Sequence, residues 1–149
     1  MNELLIIQTI LVAAAIISAV VAVAAWLQNR QVIRLANTPI LIPTFRRERN
    51  GENENVRVRI NNNHDRGIAQ HVSVRIFGGK LTREESKTDE FLAPGYGTDI
   101  YILAGNPDGC RFEVKYQNIF KQEVQVCGSV HEVTRGHFDL QSINFLIDF

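Results

Sequence analysis

One uncharged apolar stretch near the start of the chain constrains its fold more than any other feature. Residues 4–27 include 21 apolar residues among 24 and no charged one. As a helix rising 1.5 Å per residue, the stretch would be about 36 Å long, enough to cross a hydrocarbon core of about 30 Å. Its polar residues, Gln8, Thr9 and Ser18, are tolerated because a helix satisfies its own backbone. The stretch predicts a transmembrane α-helix, with residues 1–27 as the membrane anchor.

A cleavable signal peptide is the main alternative for this segment. A signal peptide has a basic start, a short apolar middle and a cleavage site of small residues. Here Asn2 and Glu3 precede the apolar residues without any Lys or Arg, and the apolar stretch is longer than a signal peptide needs. Ala22 and Ala24 have the spacing of a cleavage site but lie inside apolar sequence. We therefore expect the segment to be retained.

The charges that flank the stretch predict its orientation. Before it, Glu3 offsets the charge of the amino terminus. After it, a single acid, Glu48, stands among five arginines: Arg30, Arg34, Arg46, Arg47 and Arg49. Lys and Arg near a span favour the cytoplasmic side. We therefore expect a single-pass protein of the cell (inner) membrane, with its N-terminus outside and its C-terminal domain in the cytoplasm.

The same arginines and Trp26 are predicted to lie at the membrane interface. The Trp26 ring suits the headgroup region, and each Lys or Arg near an anionic leaflet contributes about 1 kcal/mol. Residues 28–49 carry a net charge of +4 (five Arg, one Glu), and residues 50–149 carry −3 (11 basic, 14 acidic). Membrane lipid is therefore an expected partner, and the alternative is that the arginines only set topology. The chain as a whole is neutral, and we expect no nucleic-acid partner.

Small residues recur at four-residue spacing within the apolar stretch. Ala15 is followed by Ala19, and Ser18 by Ala22. Such positions let two membrane helices approach closely. They predict a homo-oligomer or a place in a larger membrane complex, unless they reflect only how common alanine is in membrane spans.

Beyond Pro39 the apolar residues no longer recur with the period of a helix. They alternate, with a period of two residues. Residues 28–38 are predicted to be a juxtamembrane helix extension and linker, because the residue before a proline avoids the α region. Alternating apolar residues then predict seven short strands: 40–45, 55–62, 70–77, 98–103, 111–116, 121–127 and 139–147. Residues 39–149 are predicted to be a mainly β domain, an antiparallel immunoglobulin-like β-sandwich of seven or eight strands, with a small open barrel as the alternative.

One hairpin of this domain has a register that the pattern predicts. Placing Phe112 opposite Val126 and Val114 opposite Val124 puts all four side chains on one face. The turn would then centre on Ile119, with an allowed length of three to five residues.

Residue types that carry catalysis or bind metals are present but not grouped. In the expected hairpin Cys110 points inward and Cys127 outward, so that no disulfide is expected. The acidic pairs Glu84-Glu85 and Asp89-Glu90 are interpreted as a solvated loop. No phosphate-binding loop or nucleophile motif occurs, and the histidines are scattered: His64, His71, His131 and His137. We expect no catalytic residue, no metal and no cofactor.

Three further motifs follow one another in the domain. A turn rich in Asn and Gly at residues 61–67 leads into an Ala-x-x-Val-x-Val strand, formed by Ala69, Val72 and Val74. A Leu-x-Pro-Gly turn at 92–95 and a Tyr-x-x-x-Phe-Lys hairpin at 116–121 complete the series. In these motifs the chain resembles small bacterial single-pass membrane proteins with an immunoglobulin-like domain, most of them uncharacterised, in which a glycine is common where Phe120 stands. The resemblance covers most of the chain and implies a fold rather than an activity.

Three classes of function fit these features. The first is a non-enzymatic, membrane-anchored accessory or adaptor protein whose sandwich binds a protein partner. The second is a pilin-like filament subunit, with the hydrophobic helix packed in a filament core. Such subunits have a basic leader before the helix, which this sequence does not show. The third is an enzyme or ligand sensor with a site made of loops. We expect the first class and no enzymatic activity.

Overall fold

A computed structural model describes residues 2–51, 53–63, 67–102 and 105–148. These residues form one helix and ten strands, in two compact units that divide between Ala36 and Asn37. The elements are α1 (Asn2–Ala36), β1 (Ile42–Asn50), β2 (Asn53–Asn61), β3 (Ala69–Phe77), β4 (Lys80–Leu81), β5 (Glu85–Leu92), β6 (Gly97–Ile102), β7 (Gly105–Asn106), β8 (Arg111–Gln117), β9 (Glu123–Thr134) and β10 (His137–Ile147).

The first unit is the helix α1, which is long and apolar enough to span a membrane. It has 35 residues, so its length is about 52 Å. None of its described residues is buried. The helix ends at Ala36, immediately before the Asn37-Thr38-Pro39 sequence that was predicted to stop it.

The second unit is mainly β, with two antiparallel sheets. One sheet has the order β1-β2-β6 and the other β10-β9-β8-β3-β5, while β4 and β7 form a short separate ladder. In immunoglobulin lettering the first sheet holds strands A, B and E, and the second holds C′, C, F and G. β10 is an additional edge strand next to G. Eight of the strands have six residues or more, which confirms the predicted sandwich of seven or eight strands.

The core lies between the two sheets, and the residues that alternation predicted to point inward form most of it. They come from four strands and are buried: Val56, Val58 and Ile60 of β2, Val72, Val74 and Ile76 of β3, Phe112, Val114 and Tyr116 of β8, and Val124 and Val126 of β9. Ile100 and Ile102 of β6 and Val130 of β9 are buried in the same core. Period two therefore sets which side chains fill the sandwich.

The predicted register of the β8–β9 hairpin was wrong by two residues. Val114 lies opposite Val126, and Phe112 lies opposite Gly128. The Asn118 side-chain oxygen accepts hydrogen bonds from the Phe120 and Gln122 amides at 2.9 and 3.0 Å, which closes a turn of five residues. A side chain at position 128 would start 2.8 Å from the Phe112 ring. Glycine therefore fits opposite Phe112, and a shift of two keeps every residue on its predicted face.

β5 was predicted to be a polar loop and is instead an edge strand. It pairs with β3 along its length, with Val72 opposite Asp89 and Val74 opposite Lys87. Most of its side chains are exposed. An edge strand covers little core and commonly carries charges, so that its sequence lacks the apolar alternation by which the other strands were predicted.

Buried polar side chains hold one end of the sandwich. The Asn118 amide donates to the Thr38 hydroxyl at 2.8 Å and to the Gln122 side chain at 2.9 Å, and the Tyr116 hydroxyl donates to the Pro39 carbonyl. Burial raises the pKa of that hydroxyl. The first buried residue of the domain, Thr38, is thus fixed two positions after the helix ends.

A second buried amide joins two loops at this sandwich. The Asn62 side chain donates to the Gly67 carbonyl at 2.7 Å and to the Leu92 carbonyl at 2.9 Å. Its backbone accepts from the Gly95 amide and donates to the Tyr96 carbonyl. Asn62 therefore ties the end of β2 to the β5–β6 turn.

We predict that Asn62→Ala lowers the free energy of unfolding by about 2–4 kcal/mol, because two buried hydrogen bonds are lost and a small cavity is left. Thermal unfolding of the full chain in detergent, followed by the near-ultraviolet circular dichroism of the tyrosines, measures the change. Asn63→Ala is the matched control because Asn63 is exposed. Equal effects of the two substitutions would contradict the role given to Asn62.

Candidate functional site

The helix places its four predicted packing residues on one stripe. At 3.6 residues per turn, they lie within about 100° of one another around the axis: Ala15, Ser18, Ala19 and Ala22. Gln8 falls within the same stripe and was not singled out from the sequence, although a helical projection would have found it. An amide on the stripe adds a group that can hydrogen-bond to a facing helix.

The predicted interface residues of the helix lie near its end. The Arg30 guanidinium stands over the Trp26 ring, 5.4 Å from its centroid, within range of a cation–π interaction. Arg34 lies in the last turn of the helix. Contact of these residues with lipid stays a prediction.

The three arginines of β1 do not form one patch. Side chains of a strand alternate between its faces, so that Arg46 and Arg49 lie on opposite sides, and both are exposed. Arg47 faces the sheet that contains β9. Its guanidinium binds both carboxylate oxygens of Glu132, at 2.8 and 2.9 Å, and lies 5.6 Å from the centroid of the Phe138 ring. Arg47 therefore links the two sheets.

The Arg47–Glu132 pair is largely shielded from solvent, with the Glu132 side chain 16% exposed. The hydrogen bond from Arg47, and then that from the Gly136 amide, lower the pKa of the Glu132 carboxyl. The same hydrogen bond with Glu132 raises the pKa of Arg47. Both shifts stabilise the charged forms in the folded protein.

We predict that Glu132→Gln destabilises the domain by about 1–2 kcal/mol at pH 7, because a bidentate charged pair is lost. The folded pKa of Glu132 lies below its unfolded value, so the stabilisation is complete above the unfolded pKa of about 4.3 and is lost as the pH falls through the lower folded value. The difference between the two proteins should thus shrink below about pH 5. Glu123→Gln, an exposed change on the same strand, is the control for thermal unfolding at pH 7, 5 and 3; a pH-independent difference would contradict the prediction.

The two lateral sides of the sandwich differ. On the β1/β10 side the Phe45 and Phe138 rings pack with centroids 6.1 Å apart, next to the Arg47–Glu132 pair. On the β5/β6 side the Lys87 ammonium donates to the Asp99 carbonyl at 3.1 Å. Aromatic side chains therefore pack together on the β1/β10 side. On the β5/β6 side the aromatic side chains are exposed to solvent.

A groove of about 770 Å³ runs along this second side. Three aromatic residues line it and are largely exposed: Phe91 at 64%, Tyr96 at 70% and Tyr101 at 46%. Lys87, Asp89 and Asp99 supply its charges. Sequence reasoning missed this groove because its residues come from the edges of two different sheets.

The carboxylate of Asp99 belongs to an ion-pair cluster on the outer face of the three-stranded sheet. Arg57 donates to Asp99 at 2.8 Å and to Glu48 at 3.1 Å. The hydrogen bond from Arg57 is the main cause that lowers the pKa of Asp99, and the charges of Arg59 and Lys87 add to it. Charged neighbours on the three-stranded sheet thus keep Asp99 ionised. Asp89 and Lys87 face the groove from β5, in the five-stranded sheet.

Nucleophilic and metal-binding groups are not assembled in the described part of the chain. No group of three His, Cys, Asp or Glu residues there could hold a metal ion; His64 lies outside the described residues. Cys110 is buried, and burial raises the pKa of its thiol to about 11. Cys127 is half-buried opposite Glu113, on the outer face. Among the described residues, the aromatic groove is therefore the strongest candidate site.

No protein-family model matches this sequence, and no curated protein or solved structure is significantly similar to it.

Proposed function

We propose that this chain is a non-enzymatic accessory protein, anchored in the cell (inner) membrane by α1, whose β-sandwich binds a protein partner in the aromatic groove. The observation that carries the proposal is the exposure of Phe91, Tyr96 and Tyr101 along one groove. Exposed apolar surface with a polar rim is typical of interaction sites, and aromatic side chains are enriched at the centres of protein interfaces.

The helix supplies a second contact in this proposal. The stripe formed by Gln8, Ala15, Ser18, Ala19 and Ala22 packs against another membrane helix, either in a second copy or in a larger complex. Its small residues allow close approach, and the Gln8 amide hydrogen-bonds across the interface. Arg30 and Arg34, near the end of the helix, keep the domain on the cytoplasmic side and meet anionic lipid.

The orientation can be tested with a membrane-impermeant maleimide on intact cells. In a Cys127→Ser background, a cysteine introduced at the exposed Ser86 should be labelled only after the membrane is opened. A cysteine introduced at Asn2 should be labelled in intact cells, because the N-terminus is proposed to lie outside. Cys110 is buried and should stay unlabelled. Labelling of the Ser86 position in intact cells would overturn the cytoplasmic orientation and favour the pilin-like alternative.

Partner binding can be tested by purifying the full chain from its native membrane in mild detergent. We predict a stoichiometric partner protein whose recovery falls at least tenfold with Phe91→Ala or Tyr96→Ala, because truncating an interface anchor costs about 2 kcal/mol or more. Leu146→Ala, at a site on β10 that is 59% exposed, is the matched control and should leave recovery unchanged. A protein that emerges alone and monomeric would overturn the proposed function.

A further inference from the structure

Two hydrogen bonds fix the orientation of the β6 backbone. The backbone N–H of Asn62 donates to the Tyr96 carbonyl at 2.9 Å, so the backbone of Tyr96, the residue just before β6, faces β2. The Lys87 ammonium donates to the Asp99 carbonyl at 3.1 Å, so Asp99 faces away from β2. In an antiparallel ladder the N–H and C=O of one residue point to the same side, and successive residues alternate. Gly97, Asp99 and Tyr101 therefore present their backbone groups to the free edge of the sheet.

The aromatic groove follows this edge. Thr98 points inward and is buried, whereas Asp99 and Tyr101 point to the outer face, yet all three residues line the same groove. Because successive side chains of a strand lie on opposite faces, a groove that contacts both sets runs along the edge of the strand. An extended chain in the groove would thus lie beside the edge-facing backbone groups of β6.

Lys87 occupies part of the place that a neighbouring strand would take. Its ammonium donates to the Asp99 carbonyl. An added strand would donate to the same carbonyl with one of its own N–H groups. A flexible side chain can leave this position when a better-aligned donor arrives. The contact therefore protects the edge in the free protein without blocking it permanently.

The other sheet edges are less suited to a new strand. β1 carries four charged residues among nine, and β5 carries four among eight, and charge is a common protection of edges. β10 has an irregular register between Gln141 and Asn144, with Ser142 at a φ of 52°. This bulge interrupts the ladder in the middle of the strand.

We infer that a segment of the partner protein binds in extended form as an additional strand on β6, with an acidic residue against Lys87 and a basic residue against Asp89. The inference rests on the proposed function and names the binding mode. Lys87 and Asp89 are two positions apart and lie opposite the inward-pointing Val74 and Val72. An added strand would present two residues to them at the same spacing, i and i+2, flanked by apolar side chains on Phe91 and Tyr96.

Peptide binding to the full chain in nanodiscs tests the charge pattern. The probes are fluorescein-labelled decapeptides of Val and Thr with two charged residues at i and i+2: one acidic and one basic, two acidic, or two basic. We expect the mixed-charge peptide to bind at least tenfold more tightly than either like-charge peptide. Asp89→Lys should reverse the preference toward the doubly acidic peptide. An unchanged preference in this variant, or no saturable binding of any peptide, would overturn the inference.

Backbone pairing needs a separate test, because a groove can also bind side chains alone. Tyr101→Pro removes an edge-facing N–H as well as the ring, whereas Tyr101→Ala removes the ring alone. We expect the proline variant to bind the mixed-charge peptide at least tenfold more weakly than the alanine variant. Equal affinities would exclude strand addition.

A second test of backbone pairing alters the peptide and leaves the protein unchanged. It therefore does not depend on the folding of the proline variant. The mixed-charge peptide is N-methylated at alternate residues, on one edge or on the other. One methylated form should lose binding at least tenfold, and the other should retain it. Equal binding of the two forms would exclude strand addition.

Failure of this inference differs visibly from failure of the proposed function. If the partner co-purifies and Tyr101→Pro retains it as well as Tyr101→Ala does, the partner binds in another mode and strand addition is wrong. If no partner co-purifies with the wild-type chain, the proposed function itself fails, whatever the peptides do.

Discussion

The hydrogen bonds of the buried Asn118 side chain constrain the rest of the sandwich. Its oxygen accepts from two amides of the β8–β9 turn, and its nitrogen donates to Thr38 and Gln122. The first set of bonds fixes the length of the turn and with it the register of the two central strands. The second set fixes the segment that follows the helix. One side chain thus sets both the pairing at the centre of the larger sheet and the position at which the domain begins.

The alternation of apolar residues was enough to predict the interior of the domain. The residues predicted to point inward from β2, β3, β8 and β9 are buried, because period two is a local property of the backbone. The end of the helix before Pro39 was predictable for a similarly local reason. The β8–β9 register was not, since it depends on hydrogen bonds that a side chain makes within the turn. β5 was missed because an edge strand with charged side chains has no apolar alternation.

The candidate site was harder to predict than the fold. The groove joins β5 to β6, and its aromatic residues carry no periodic signal that separates them from ordinary surface residues. The pairing of Arg47 with Glu132 spans 85 positions of sequence. Because no local pattern indicates this pairing, Arg47 was grouped with the other arginines that follow the apolar stretch. The position of Gln8 on the helix stripe, in contrast, follows from 3.6 residues per turn alone.

The turn of five residues after β8 also bears on how the length of this chain can change. Sliding β9 along β8 by two residues would keep Val124 and Val126 inside, whereas sliding it by one would turn both to solvent and bring Glu123 and Gln125 into the core. Residues inserted into the turn do not require such a slide, because they can lengthen the loop while the paired strands stay in register. The sandwich can therefore accept a change in the length of this turn without any change in its core.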